Sequence, residues 1–144
     1  MKTKLLTYLL ALTFLFLFGC SSIVLADDLQ DGLDAYDRKD FKTAYKLFLP
    51  LAEQGNALAQ YNLGQMYRQG QGVPQDYQEA GRLYRLSAEQ GDAIAQCNLG
   101  GMYNEGKGVP QDDKEAVKWW KLAAGQHDEQ AQFILERIHG NSSN

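Results

Sequence analysis

The chain has little of what most enzymes and metalloproteins need. Histidine occurs twice, at His127 and His139, and cysteine twice, at Cys20 and Cys97. There is no Cys-x-x-Cys and no His-Glu-x-x-His, so no stretch has metal-ligand spacing. A Ser–His–Asp or Cys–His arrangement needs a positioned base, and no motif supplies one. A disulfide framework is excluded, because removal of an N-terminal leader would leave Cys97 alone. Strand signals are absent. Basic charge is also short, with 14 lysines and arginines against 18 acids, a net charge of −4. Residues 1–26 hold two of the lysines and no acid, so without them the balance is 12 against 18, or −6. Such a chain lacks the basic footprint of a non-specific nucleic-acid binder. Long apolar runs reduce to one, from Leu5 to Phe18, too short for a comfortable membrane span.

What the chain does have is a period. Residues 56–91 and 92–127 align without a gap, and 19 of 36 positions are identical. Ala59, Gln60, Leu63, Gly64, Met66 and Tyr67 recur as Ala95, Gln96, Leu99, Gly100, Met102 and Tyr103. Gly70, Gly72, Val73, Pro74, Gln75 and Asp76 recur as Gly106, Gly108, Val109, Pro110, Gln111 and Asp112. A fixed period of this size marks units that bury their apolar faces on one another. Residues 29–55 read as a degenerate first unit, with Tyr36 under Tyr67 once five residues of the Gly-rich connection are deleted. Residues 128–140 repeat only the start of a unit and read as a capping helix, followed by a disordered tail at 141–144. An end unit has a face with no neighbour, so atypical ends are expected.

Each unit reads as two helices. Asn56, Asp92 and Asp128 stand at corresponding N-cap positions, where a short side-chain oxygen can take a free amide. From Asn56 to about Gln69, Ala59, Leu63, Met66 and Tyr67 fall on one apolar face, while Leu58, Asn62, Gln65 and Gln69 form a separate, mostly polar stripe. Gly70 suits a left-handed helix end, and Pro74 prevents the helix continuing. Asp76 with Glu79, and Asp112 with Glu115, have capping-box spacing at the start of the second helix. That helix ends at Gly55, Gly91 and, anomalously, His127. Small residues at Ala44, Ala80 and Ala116, and at Ala52, Ala88 and Ala124, point to close helix crossings. Trp119 and Trp120 resemble a binding hot spot, but they align with Leu83 and Tyr84, which favours core packing for at least Trp120. Cys97 aligns with Tyr61 and Phe133 and reads as a small, partly buried apolar residue.

Residues 1–26 read as a signal peptide. Lys2 and Lys4 precede the apolar run, and Val24-Leu25-Ala26 offers small residues at the two positions a cleavage site requires. Cleavage there would leave Asp27 first. The alternative is a lipoprotein box, Leu17-Phe18-Gly19-Cys20, with Cys20 acylated and retained. Simple cleavage is preferred, because Phe18 is bulky where a small residue is usual and the following spacer is short and apolar. Either route exports the chain and suggests a bacterial envelope, with a periplasmic or secreted product or one anchored through Cys20. No membrane span is expected after processing.

The pattern Ala-x-x-x-Leu-Gly-x-x-Tyr-x-x-Gly-x-Gly-Val-x-x-Asp-x-x-x-Ala, followed by a paired aromatic and Ala-Ala, resembles the Sel1-like repeats, relatives of the tetratricopeptide repeats with a longer helix–helix connection. The resemblance is strong over 56–127, and the first unit looks closer to an ordinary tetratricopeptide repeat. Ser87, Gly125 and His127 depart from it where Ala, Glu and Gly are usual. It implies an all-α, right-handed superhelical solenoid of antiparallel helix pairs, with adaptor or scaffold work in bacterial envelope or signalling systems. It also implies that the first helices line a concave surface. The matching stripe here is Leu58, Asn62, Gln65, Arg68 and Gln69, then Ile94, Asn98, Gly101, Asn104 and Glu105, then Ile134 and Arg137. Asn62 and Asn98 fall where the tetratricopeptide family often places an Asn that grips a peptide backbone. The basic residues of that family's carboxylate clamp are not reproduced, since Tyr61 and Cys97 replace one of them. A polar, hydrogen-bonding groove without strong preference for a C-terminal carboxylate is expected, the alternative being a merely solvated face.

Catalysis is not expected, nor is any cofactor. Gly70-x-Gly72 and Gly106-x-Gly108 join helix to helix with no preceding strand, so they are not phosphate loops. Some cysteine-rich relatives are described as β-lactamases or penicillin binders, but this chain has neither their paired cysteines nor a Ser-x-x-Lys. The expected function is a non-catalytic module that binds a protein or peptide. The alternative is an envelope enzyme or a binder of cell-wall ligands.

Overall fold

Short polar side chains start these helices as their positions in the sequence imply. In the computed structural model, which describes residues 27–141, Asn56, Asp92 and Asp128 each accept the backbone N–H three residues on, at 2.8–2.9 Å. The expected leader with Cys20, and residues 142–144 of the expected tail, lie outside the described residues. Among the described residues seven α-helices follow one another: α1 (27–37), α2 (Phe41–Glu53), α3 (Ala57–Gln69), α4 (Tyr77–Glu89), α5 (Ala93–Glu105), α6 (Asp113–Gly125) and α7 (Glu129–Asn141). There is no strand among the described residues. The helices form antiparallel pairs in a right-handed superhelical solenoid, and the main packing is between sequence neighbours. α7 packs on α6.

The capping boxes are half formed. Asp76 accepts from the N–H groups of Gln78 and Glu79, and Asp112 from those of Lys114 and Glu115. The reciprocal bonds are missing for a physical reason. The Asp76 and Asp112 N–H groups already donate to the carbonyls of Tyr67 and Tyr103. Glu79 and Glu115 turn outward instead, to Arg82 and Lys118.

Gly70 and Gly106 close α3 and α5 in the left-handed region, at φ 68° and 65°. His127 takes the corresponding end of α6 at φ 67°, where Gly55 and Gly91 serve elsewhere. In the first unit the connection shrinks to three residues, with Lys39 at φ 62°. In the longer connections, Gly72 and Gly108 let the loop backbone lie against the first residues of α2 and α4. The Gly-x-Gly motif thus serves chain packing.

Two apolar clusters fill the solenoid. Ala44, Phe48, Leu51, Ala59, Leu63, Met66 and Leu83 belong to the N-terminal one. Ala80, Tyr84, Ala95, Leu99, Met102, Ala116 and Trp120 belong to the C-terminal one, and Tyr67 packs against both. Gly64 and Gly100 bring the helices of each pair close. A Cβ at Gly64 would sit 3.0 Å from the Tyr84 ring, and one at Gly100 2.6 Å from Trp120 Nε1. Ser87, the first departure from the repeat pattern, is buried with its hydroxyl unbonded.

A repeated polar joint runs through this apolar stack. Gln60 is buried and donates from Nε2 to the Ala52 carbonyl at the end of α2, while its Oε1 accepts from Gln90 at the end of α4. One period later, Gln96 donates to Ala88 and accepts from Gln126, at 3.0 and 2.9 Å. Each glutamine ties the preceding unit to its own. Replacing Gln96 by leucine keeps the volume but removes both bonds. The Ala88 carbonyl keeps the Gly91 N–H and the exposed Gln126 amide meets water, so the cost should be the net value of a hydrogen bond, about 0.5–1.5 kcal/mol each. Urea denaturation measures this, and an unchanged midpoint would show the joint to be idle.

Candidate functional site: the inner groove

A groove of about 640 Å³ opens between α3, α5 and α7. Arg68 and Gln69 come from α3, Asn98, Gly101, Asn104 and Glu105 from α5, and Ile134 from α7. These seven were expected from the sequence. Gln75, Tyr77, Lys107 and Gln130 at the rim, and Cys97, Met102 and Trp120 at the base, were not assigned to it. The Trp119–Trp120 pair did hint at Trp120, but its alignment with Leu83 and Tyr84 pointed to the core. Both indoles are buried, and Trp120 reaches the groove as well.

The other five expected residues lie outside the groove lining. Asn62 is only 6% exposed, and its Nδ2 donates to the Leu58 carbonyl of its own helix at 2.8 Å. Gln65 donates to the Tyr61 hydroxyl at 2.6 Å and accepts from Gln69 at 3.1 Å. Leu58 and Ile94 are exposed, at 40% and 53%. Arg137 stacks over Phe133, 5.7 Å from the ring centroid.

Helix periodicity aligns the groove's amides on one face. Asn98 approaches the Tyr61 hydroxyl, whose pKa is raised mainly by burial. Gln75 donates to the Arg68 carbonyl and to the Tyr77 hydroxyl, fixing one wall. Glu105 and Lys107 pair at 2.7 Å, and the Lys107 ammonium lies 6.0 Å from the Tyr77 ring centroid. Trp120 Nε1 donates to the Cys97 carbonyl at 3.1 Å, so the indole presents no free donor.

Cys97 is 5% exposed, and burial, with Asp128 adding to it, pushes its thiol up to about 12. The thiolate is the reactive form. Cys97 should therefore resist iodoacetamide at neutral pH in the folded protein and react at the ordinary rate in urea. Equal rates in both would overturn the assignment of an inert thiol. No group of His, Cys, Asp and Glu among the described residues could hold a metal ion. No helix among them is long and apolar enough to cross a membrane.

Comparison with known proteins agrees with this architecture. The Sel1 repeat model matches residues 25–56, 57–92 and 93–128. A Sel1 repeat protein from Oxalobacter formigenes is similar at 34% identity and a TM-score of 0.73, over 76% of this chain and 45% of that one. A protective antigen of uropathogenic Escherichia coli strains, displaying an SLR fold, is similar at 42% identity and a TM-score of 0.72, over 75% of this chain and 24% of that one. This chain thus spans less than half the length of either. Cysteine rich protein B of Helicobacter pylori shares the fold at 22% identity and a TM-score of 0.62, over 76% of this chain and 93% of that one. No curated protein matches the chain. The chain belongs to the Sel1 repeat family, whose members are typically scaffolds for protein–protein interaction.

Proposed function

We propose that this protein is a non-catalytic adaptor of the bacterial cell envelope that holds a protein or peptide partner in the groove between α3, α5 and α7. The observation that carries this reading is the groove itself, about 640 Å³ with side-chain amides from α3, α5 and α7 along it. Asn98 and Asn104 can bond to an extended backbone, which offers one donor and one acceptor per residue. A photo-crosslinking amino acid at Asn104, in cells of the native host, should capture a discrete partner. The same group at Lys121 on the outer surface should not. Equal capture from both positions would remove the groove from the function.

Export rests on the N-terminal sequence. Val24-Leu25-Ala26 supports cleavage that frees the protein into the periplasm or beyond. The intact mass of the mature protein should correspond to a chain beginning at Asp27. A species beginning at a diacylglyceryl-modified Cys20 would reverse this and place the adaptor on a membrane surface.

A further inference from the structure

We infer that the groove accepts an extended segment of a partner protein that buries one apolar side chain beside Gly101 and sets an acidic side chain against Arg68. This rests on the groove being the partner site. Comparison of the two full repeats shows why the apolar place exists in one and not in the other. In the first, Tyr61 lies 5.9 Å from Tyr84, centroid to centroid, and Gln65 donates to its hydroxyl. Those two side chains occupy the inner face. In the second, Cys97 and Gly101 replace them, and Trp120 replaces Tyr84. The space filled by a tyrosine and a glutamine is left to a thiol and a hydrogen atom. A Cβ built at Gly101 meets nothing within 4 Å.

The base of this space is apolar. Met102 and Trp120 line it, and the one indole donor is already spent on the Cys97 carbonyl. The Cys97 thiol stays protonated at neutral pH. An apolar side chain loses nothing on leaving water against this base, whereas a polar one loses water and must turn away to the flanking Asn98 and Asn104 for a partner.

The charge at the rim selects the neighbouring residue. Glu105 and Lys107 neutralise each other. Arg68 takes part in none of the three ion pairs of the described residues, so the groove carries a net positive charge in an otherwise acidic chain. An acidic side chain is complementary to it.

Fluorescence anisotropy with end-blocked nonapeptides tests this, each carrying one leucine and one aspartate at varied separation in a Gly/Ser background. At the best separation, exchanging leucine for alanine should weaken binding about tenfold or more, as expected for a buried side chain. Gly101→Gln restores the first repeat's side chain where there is room for it, and glycine is the poorer helix former. This variant should weaken binding to a similar degree without lowering the melting temperature. Arg68→Gln should weaken the aspartate peptide about threefold and leave its asparagine counterpart unchanged. No peptide binding, equal affinity for the leucine and alanine peptides, or full binding by Gly101→Gln would overturn the inference. So would a concentration-dependent dimer that Gly101→Gln disperses, which would assign the groove to a second copy of the chain. Partner crosslinks from Asn104 that persist alongside any of the first three results would leave the adaptor reading standing.

Discussion

Replacing Gly108 by alanine should destabilise the protein by about 3–5 kcal/mol, the largest effect expected of any small substitution here. Two penalties combine. The backbone at Gly108 is in the left-handed region, at φ 72°, which itself disfavours a side chain. The added Cβ would also collide with the Tyr77 carbonyl, which is backbone and cannot swing aside as a side chain could. Relief requires the loop to lift from α4, which opens the joint between the two full repeats. Equilibrium urea denaturation measures the loss. Gly101→Ala is the control, since its Cβ enters open space within a helix and should raise stability slightly. A Gly108→Ala protein with an unshifted midpoint would show that the loop does not need its close seat on α4.

Leu99→Ala should cost about 2–5 kcal/mol, the range for truncating a buried leucine. Leu99 is wholly buried in the C-terminal cluster with Tyr84, Met102, Trp119 and Trp120. Aromatic rings on rigid helices cannot collapse readily into the space left behind, so the upper half of the range is expected. Asn104→Ala on the same helix lies at an exposed position and should change stability little. Comparing the two melting curves separates core from groove. If Leu99→Ala melts with the unaltered protein, its place in the core is wrong.

The repeat, the helix pairs and the helix ends were legible in the sequence because each depends on local chemistry. Asn56 and Asp92 bond within one turn, and Gly70 sets its own backbone angle. What escaped was set by residues distant in sequence. Gln60 and Gln96 were visible as recurring letters, but a glutamine reads as a surface residue until two helix ends are seen to converge on it. Asn62 looked like a groove residue because its helical angle matched. Its burial and its bond to Leu58 are determined by neighbours that the angle does not reveal. The groove needed a comparison of repeats by volume: the exchange of Tyr61 and Gln65 for Cys97 and Gly101 was readable, but the resulting space was not.

The glutamine joints give the solenoid a direction of assembly. Each joint looks backward over 8 residues, as from Gln60 to Ala52, and is completed from 30 residues ahead, as by Gln90. A chain emerging from its N-terminal end can therefore attach α3 to a finished pair before α4 exists, and α4 then locks what α3 began. Contacts this short in sequence form quickly and suit growth by addition. The third joint is half made among the described residues. Gln132 reaches Ala124 at 3.3 Å, and no later glutamine among the described residues closes upon it. Among the described residues α7 is thus held by one joint bond where α3 and α5 are each held by two, and amide exchange should run faster in α7 than in α5 and α3.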